Sequence, residues 1–218
     1  MKTVFISRTL STDSTFQRRL TAAGWRVLGC SLVQFRPVPV AEVPPADWYF
    51  FYSPRGVQFL CEQASPPGKI ATIGARTARE LAHWNRAADF IGTGNPTTTT
   101  ARFRAVLRAG ETVCFVQARR SRRSVAQSIG GQVNVRELVV YDNELLPTPL
   151  PRAEVLVFTS PLNVDGFLLE NTFDPAQQLI SIGPTTTQHL IKCGHPPHRT
   201  APAPDETTLA ALVLEIPT

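Results

Sequence analysis

Residues 48–57 read Trp-Tyr-Phe-Phe-Tyr-Ser-Pro-Arg-Gly-Val, and residues 155–164 read Val-Leu-Val-Phe-Thr-Ser-Pro-Leu-Asn-Val. Each stretch opens on a short unbroken apolar run of aromatic or β-branched side chains. Such a run predicts a strand buried on both faces, as in a parallel sheet covered by helices. Each run then meets Ser-Pro, which ends the strand and places the serine or proline in the first turn of a helix, where free N–H groups collect.

Working outward, the same order of signals occurs twice. Thr112 to Gln117 resembles Lys2 to Arg8, a β-branched apolar run ending on a polar residue. Asp13 and Ser14 cap a helix carried by Phe16, Leu20 and Ala23 and stopped by Gly24; Arg122 to Ile129 is a helix stopped by Gly130-Gly131. Ile70 to Gly74 matches Leu179 to Gly183, and Arg76-Thr-Ala-Arg-Glu-Leu lies where Thr185-Thr-Thr-Gln-His-Leu recurs. Pro96, its four threonines and the amphipathic stretch Phe103 to Leu107 parallel Pro204 and the apolar run behind it. The offset is about 107 to 110 residues, so the repeat is a whole domain rather than a solenoid unit. Each half supplies about four or five strands alternating with helices, which predicts two doubly wound parallel sheets. Pro37 to Pro45 and Pro147 to Pro151 are proline-rich and read as connectors.

Composition narrows the class. With 43% hydrophobic and 18% charged residues, the chain is neither disordered nor a solvent-exposed coiled coil. No apolar run approaches the roughly 20 residues that span a bilayer, and the apolar start is too short for a signal peptide before Arg8. A soluble cytosolic protein is expected. The formal charge of +5 favours an anionic partner: nucleic acid, or a small polycarboxylate or phosphate ligand. Cys30, Cys61, Cys114 and Cys193 form no CxxC pair and read as reduced packing thiols.

In open parallel sheets ligands bind beyond the carboxyl ends of the strands. Those ends here are Ser7-Arg8, Ser53-Pro-Arg55-Gly56, Gly74-Ala-Arg76-Thr77, Gln117 to Arg123, Ser160-Pro-Leu-Asn163 and Gly183-Pro-Thr185-Thr186. They are small, hydroxylated or glycine-containing and lie at helix N-termini, which offer N–H groups and a positive dipole to anions. Arg8, Arg55, Arg76, Arg119, Arg120, Arg122 and Arg123 add cations. For any one turn, helix capping beside a solvated arginine is a sufficient account; six such turns together point to an anion-binding face. No GxGxxG, Walker or GxSxG motif occurs, and there is no paired-carboxylate motif. Cys193, His195 and His198 flank glycine and prolines and read as a turn rather than a metal site, while His83 and His189 read as ordinary helix residues. Arg119-Arg-Ser-Arg-Arg lacks the aromatic platform of a nucleic-acid module, so no nucleic-acid partner is expected.

These segments carry a resemblance. Val157-Phe-Thr-Ser-Pro-Leu-Asn-Val, Ile182-Gly-Pro-Thr-Thr with Leu190 and Gly194 beyond, and Pro204 with its following helix resemble the uroporphyrinogen-III synthase family. So do Phe50-Phe-Tyr-Ser-Pro-Arg-Gly-Val, Ile73-Gly-Ala-Arg-Thr-Ala, Arg8 and Val139-Val-Tyr141. The likeness runs nearly end to end, and order and spacing carry its specificity. It implies two similar α/β domains joined by a two-stranded β-ladder, with an active site in the cleft between them. The ladder strands would lie near 32–39 and 139–147. One discontinuous domain would hold 1–36 with 148–218, and the other 37–147.

The resemblance also implies a substrate, the linear tetrapyrrole hydroxymethylbilane, whose acetates and propionates suit the anion-binding turns. The product is uroporphyrinogen III, formed with loss of water and inversion of ring D, with no cofactor, metal or membrane involved. A monomer is expected, in transient contact with hydroxymethylbilane synthase. Tyr141 matches the tyrosine that faces the family's cleft and is implied as general acid. Thr185 and Thr186 match its cleft threonines, with Ser53, Ser160 and Arg8 in the same task. Arg55, Gly74, Thr77, Arg119, Arg122 and Asn163 complete the candidate substrate-binding set from the turns above. The chain departs from the pattern at Ala118-Arg-Arg-Ser-Arg-Arg, which replaces a glycine-rich turn, and at Leu162-Asn163, which replaces smaller residues. Two rivals remain from other classes: a non-catalytic relative holding a tetrapyrrole or other polyanion, and a basic nucleic-acid-binding module.

Overall fold

In a computed structural model that describes residues 2–121 and 123–216, the elements follow the chain as β1 (Thr3–Ile6), α1 (Thr15–Ala22), β2 (Arg26–Gly29), β3 (Val33–Pro37), β4 (Trp48–Phe51), α2 (Pro54–Cys61), β5 (Lys69–Thr72), α3 (Ala75–Ala82), β6 (Phe90–Ile91) and α4 (Pro96–Arg104). Then come β7 (Thr112–Ala118), α5 (Ser124–Ile129), β8 (Asn134–Leu145), β9 (Val155–Phe158), α6 (Pro161–Leu168), β10 (Gln178–Ser181), α7 (Pro184–Lys192), β11 (Arg199–Thr200) and α8 (Glu206–Leu214).

The chain divides into two compact units, one of residues 1–34 with 144–218 and one of residues 35–143. The first holds a five-stranded sheet in the order β11-β10-β9-β1-β2, and every pair in it is parallel. Val4, Ile6, Val155 and Val157 point to one face, against Phe16 and Leu20 of α1 and Leu209 and Val213 of α8. Phe5, Leu156 and Phe158 point to the other, against Val164 and Phe167 of α6 and Leu190 of α7. Both faces are therefore apolar, which is why β9 reads as an uninterrupted hydrophobic run.

The second sheet runs β3-β8-β7-β4-β5-β6, with β8 to β6 parallel throughout. Val57 and Leu60 of α2 with Leu81 of α3 cover one face. Phe103 of α4 with Val125 and Ile129 of α5 cover the other. All four residues of β4 are buried. At the edge, β3 lies beside β8: Val38 N–H donates to the Val140 carbonyl and Leu146 N–H to that of Leu32, so these segments run in opposite directions. Both passages of the chain between units fall inside this strand pair, one within β3 and one within β8.

Numbered within its own unit, the first sheet has order 2-1-3-4-5, a common doubly wound order with its reversal between β1 and β9. The second, in the order β8-β7-β4-β5-β6, is the same sheet circularly permuted, with β7 and β4 in place of β1 and β9. The duplicated strands quoted at the outset are the central strands of the two copies.

Helix starts follow the caps. Ser14, Ser53, Ser160, Asn95 and Asp205 each accept the backbone N–H of the residue three positions on, inside the first turn of their helices. One expectation changes in extent. The four threonines after Pro96 lie inside α4 rather than ahead of it. Asn95 and Pro96 start the helix early, and the Thr100 hydroxyl donates to the Pro96 carbonyl at 2.8 Å, so these β-branched residues sit in its first turns.

Gly166 on α6 packs directly on the backbone of Leu32, where an added Cβ would lie 2.5 Å from the carbonyl oxygen and 2.9 Å from the Leu32 Cβ. Gly166→Ala should destabilise the chain by about 1–3 kcal/mol through forced separation of α6 from this segment. Urea unfolding reads this as a lower midpoint at unchanged slope.

Candidate functional site

At the reversal of the first sheet, the carboxyl ends of β1 and β9 are bonded through side chains. The Ser7 hydroxyl accepts from Thr159 N–H at 2.8 Å, and the Thr159 hydroxyl donates to the Ser7 carbonyl at 2.7 Å. Half-buried Arg8 follows β1, and Ser160 follows β9 as the cap of α6. Asn163 is buried and its amide is committed within the unit: Nδ2 donates to Ser160 Oγ at 2.8 Å, and Oδ1 accepts from Leu32 N–H at 2.8 Å. It holds the Ser160 turn in place. On the next helix Thr185 is exposed and Thr186 buried, and Gly183 starts α7 with no side-chain cap.

The second unit places Tyr141, Ser53 and Arg55 together. Along β8, Leu138 and Val140 face α2, so Tyr141 would ordinarily turn to the opposite face. It does not, because the register slips: Gln117 pairs with Val139 and Ala118 with Tyr141, leaving Val140 as an extra residue. The bulge returns Tyr141 to the α2 side, where it joins Leu138 and Val140 in one cluster. Its ring stacks on Phe59 at 5.3 Å and tilts against Phe35 at 6.1 Å. Its hydroxyl lies 3.0 Å from Ser53 Oγ, which also accepts the Gly56 N–H as the cap of α2.

The Arg55 guanidinium lies over the Phe35 ring, 3.5 Å from its centroid. Burial of that guanidinium lowers its pKa from the ordinary value; Tyr141 opposes the fall and Arg76 adds to it. The group stays cationic all the same. Arg55 and Arg76 thus bring two positive side chains to the helix starts around Tyr141. Gly74, like Gly183, starts its helix without a side-chain cap, and Thr77 is buried in the first turn beyond it. The N–H groups of these two turns are not claimed by a capping side chain, which suits an anionic ligand.

Tyr141 differs from the other tyrosines. Tyr49 donates to the Pro44 carbonyl at 2.7 Å. The Tyr52 oxygen accepts from Ala126 N–H at 2.9 Å, and burial pushes its pKa up to about 12. Both are tied to backbone, whereas the Tyr141 hydroxyl meets another hydroxyl.

The remaining basic residues are more dispersed. Exposed Arg119 pairs with Asp142 at 3.0 Å, and Arg123 with Glu137 at 3.2 Å. Arg122 lies outside the described residues. In the Cys193 turn, the His195 ring packs on Phe173 at 4.3 Å and His198 Nδ1 accepts from Leu179 N–H at 3.0 Å. A cavity of about 360 Å³ lined by Lys2, Trp25 and Glu154 lies at the amino ends of the strands, opposite the end where these turns gather.

The candidate residues legible in the sequence omit two contributors and include a third, Gln117, only as the start of the Gln117 to Arg123 turn. Phe35 and Phe59, which bracket Tyr141, carry no local signal beyond hydrophobicity. Gln117 is 1% exposed with neither amide atom hydrogen-bonded, at the carboxyl end of central β7. Its signal in the sequence is a glutamine near the end of an otherwise apolar strand.

The sequence model of the family described as "Uroporphyrinogen-III synthase HemD" matches residues 14–211. Among solved structures, the chain is similar to the uroporphyrinogen-III synthetase of Helicobacter pylori, with TM-score 0.75, 20% identity and all of both chains covered. It is also similar to a mutant uroporphyrinogen III synthase from the extremely thermophilic bacterium Thermus thermophilus, with TM-score 0.66, 15% identity and 98% of each chain covered. At these identities the structures speak for the shared fold.

Ser53→Ala should cost about 0.5–2 kcal/mol by uncapping α2, while Ser53→Thr retains most of it, both read by urea unfolding. In alkali, Tyr52 should ionise only near pH 12. The unfolded phenol ionises from its ordinary value of 10.0, so stability present below that pH should be lost as pH rises toward about 12. Tyrosinate absorbance followed alongside unfolding midpoints checks both.

Proposed function

The chain belongs to the uroporphyrinogen-III synthase family and is a tetrapyrrole-pathway lyase of that kind, and we propose that Tyr141 is the proton donor of its reaction while the turns at the strand ends hold the substrate's carboxylates. The observation that carries this reading is the Tyr141 hydroxyl. A bulge turns it toward the α2 start, aromatic rings orient it, and Ser53 rather than a backbone carbonyl is its partner.

The reaction sets the requirement. Hydroxymethylbilane loses its terminal hydroxyl to give a reactive azafulvene, and unaided it closes to the symmetrical isomer. The enzyme has to steer attack to the substituted carbon of ring D. The resulting spiro intermediate reopens and closes again with that ring inverted. Holding the reacting ends in the right geometry is worth up to roughly 7–11 kcal/mol. In our reading that work falls to the anion-binding turns: Arg8, Ser160, Thr185 and Thr186 in one unit, and Ser53, Arg55, Gly74 and Thr77 in the other. Main-chain N–H groups suit many carboxylates at once, because they attract anions without gathering positive charge. Asn163 serves by fixing Ser160. Arg119 would have to leave Asp142 to reach substrate, and Arg122 is retained as a candidate from sequence alone.

Tyr141 donates its phenolic proton to the departing hydroxyl, which leaves as water. The tyrosinate recovers a proton when the ring-D carbon gives one up as the macrocyclic pyrrole re-forms. Ser53 partners the phenolic oxygen through this exchange, and the Arg55 guanidinium lies over the Phe35 ring that packs against Tyr141. A general acid of this type contributes about 10²–10⁴-fold. No helix among the described residues is long and apolar enough to cross a membrane. We place the enzyme in the cytoplasm as a monomer, taking its short-lived substrate in transient contact with hydroxymethylbilane synthase.

The deciding experiment feeds freshly generated hydroxymethylbilane to the purified protein, oxidises the products and separates the isomers. Type III uroporphyrin above background is expected. Tyr141→Phe should lower kcat by about 10²–10⁴-fold with the circular dichroism spectrum unchanged; an unaltered kcat removes Tyr141 from the mechanism. Thr185→Ala should raise KM by about 2- to 12-fold, the worth of one hydrogen bond, with kcat nearly constant.

A further inference from the structure

Three potential metal ligands meet in the first unit, at positions of α6 and α7 that the proposed reaction does not use. His189 and Cys193 are four residues apart at the end of α7, so they share one side of that helix. Asp165 reaches them from α6, with its Oδ1 2.6 Å from His189 Nε2. One ligand atom from each of Asp165, His189 and Cys193 lies within 4.8 Å of the other two. The side chains of Asp165 and His189 are 37% and 28% exposed, so an ion can reach them from solvent without unfolding.

The internal repeat acts as a control on helix packing. Counting from the matched helix starts, Ser53 with Ser160 and Gly74 with Gly183, the equivalent positions in the other unit hold Gln58, Glu80 and Trp84. The same two-helix arrangement is built there with neither a cysteine nor a histidine at the equivalent positions, so the fold does not demand this trio. Cys193 packs against the apolar cluster of Phe5, Leu156 and Leu190, and it also brings its sulfur to the Asp165–His189 pair. Its thiol is pushed up by burial and by the Asp165 carboxylate, an arrangement that a bound cation would reverse.

We propose that Asp165, His189 and Cys193 bind one borderline divalent ion, Zn²⁺ or an ion of like chemistry, with the fourth position filled by water. Thiolate, imidazole and carboxylate together suit tetrahedral zinc and poorly suit calcium or magnesium, which take oxygen ligands. Binding releases the Cys193 thiol proton to solvent and leaves His189 neutral, with no change of oxidation state. The ion clips the middle of α6 to the last turn of α7, the two helices whose first turns carry Ser160 and Thr185. Stability of the folded chain then rises with ion concentration.

The test titrates Co²⁺ into the full-length protein, stripped of metal and kept reduced by a non-chelating reductant. One equivalent should produce a thiolate-to-cobalt charge-transfer band with the visible bands of tetrahedral cobalt, and Zn²⁺ should displace both. Cys193→Ser should abolish the charge-transfer band, and His189→Ala should weaken binding by at least about 10-fold. Cys61→Ser and Cys30→Ser should leave the spectrum unchanged. No saturable band up to about 1 mM Co²⁺, or a band that survives Cys193→Ser, overturns the proposal. If Cys193→Ser does not fold, Asp165→Asn decides instead: weaker cobalt binding supports the site, and unchanged affinity overturns it. Neither outcome bears on isomer yield, so this site and the proton donor stand or fall separately.

Discussion

Burying a parallel sheet on both faces confines polarity to the strand ends. Once helices cover each side, residues such as Phe50, Phe51, Leu156 and Val157 belong to apolar clusters, and a polar group among them would lack a partner. Backbone N–H groups that escape the ladder and the helices collect where a strand hands over to a helix. The candidate site is the consequence: Ser53, Gly74, Ser160 and Gly183 all occupy such handovers. The proposed role follows from this: main-chain donors at these handovers suit a substrate bearing many carboxylates.

The two units solve the same packing problem with the chain threaded differently. One sheet is continuous in sequence, and the other is interrupted after β2 and resumed at β9, so the two are circular permutants. Permutation preserves which strands are central and where the order reverses. Both reversals accordingly fall beside a Ser-Pro turn, and each gains an arginine after the neighbouring strand, Arg8 in one copy and Arg119 in the other. The copies have diverged in what surrounds those turns. One surrounds its serine with Tyr141, Phe35 and Arg55; the other ties its serine to Asn163 and carries the Asp165, His189 and Cys193 trio a turn away.

A single extra residue sets the geometry of the first of these. Without the bulge at Val140, strict alternation would send the Tyr141 ring to the α5 side of the sheet, away from Ser53. The cost of the irregularity is small, since it falls near the end of the β7–β8 pairing. The gain is a phenol held between two rings with its hydroxyl on a helix cap.

Most of the strand and helix order, the duplication and the strand-end turns were legible in the sequence, because these rest on local rules: apolar runs, Ser-Pro and glycine punctuation, and spacing along one chain; the two-residue edge strands β6 and β11 are too short to leave such a pattern. The family likeness was legible for the same reason, being carried by the order of short motifs such as Ile182-Gly-Pro-Thr-Thr. Tertiary structure alone decided which way Tyr141 turns, that Phe35 and Phe59 bracket it, that Asn163 spends its amide on Leu32, and that Asp165 meets His189 and Cys193 across two helices. Each of these depends on register or on the approach of segments distant in the chain. A side-chain period of two makes strand orientation sensitive to one inserted residue, and no local pattern records which helix faces which.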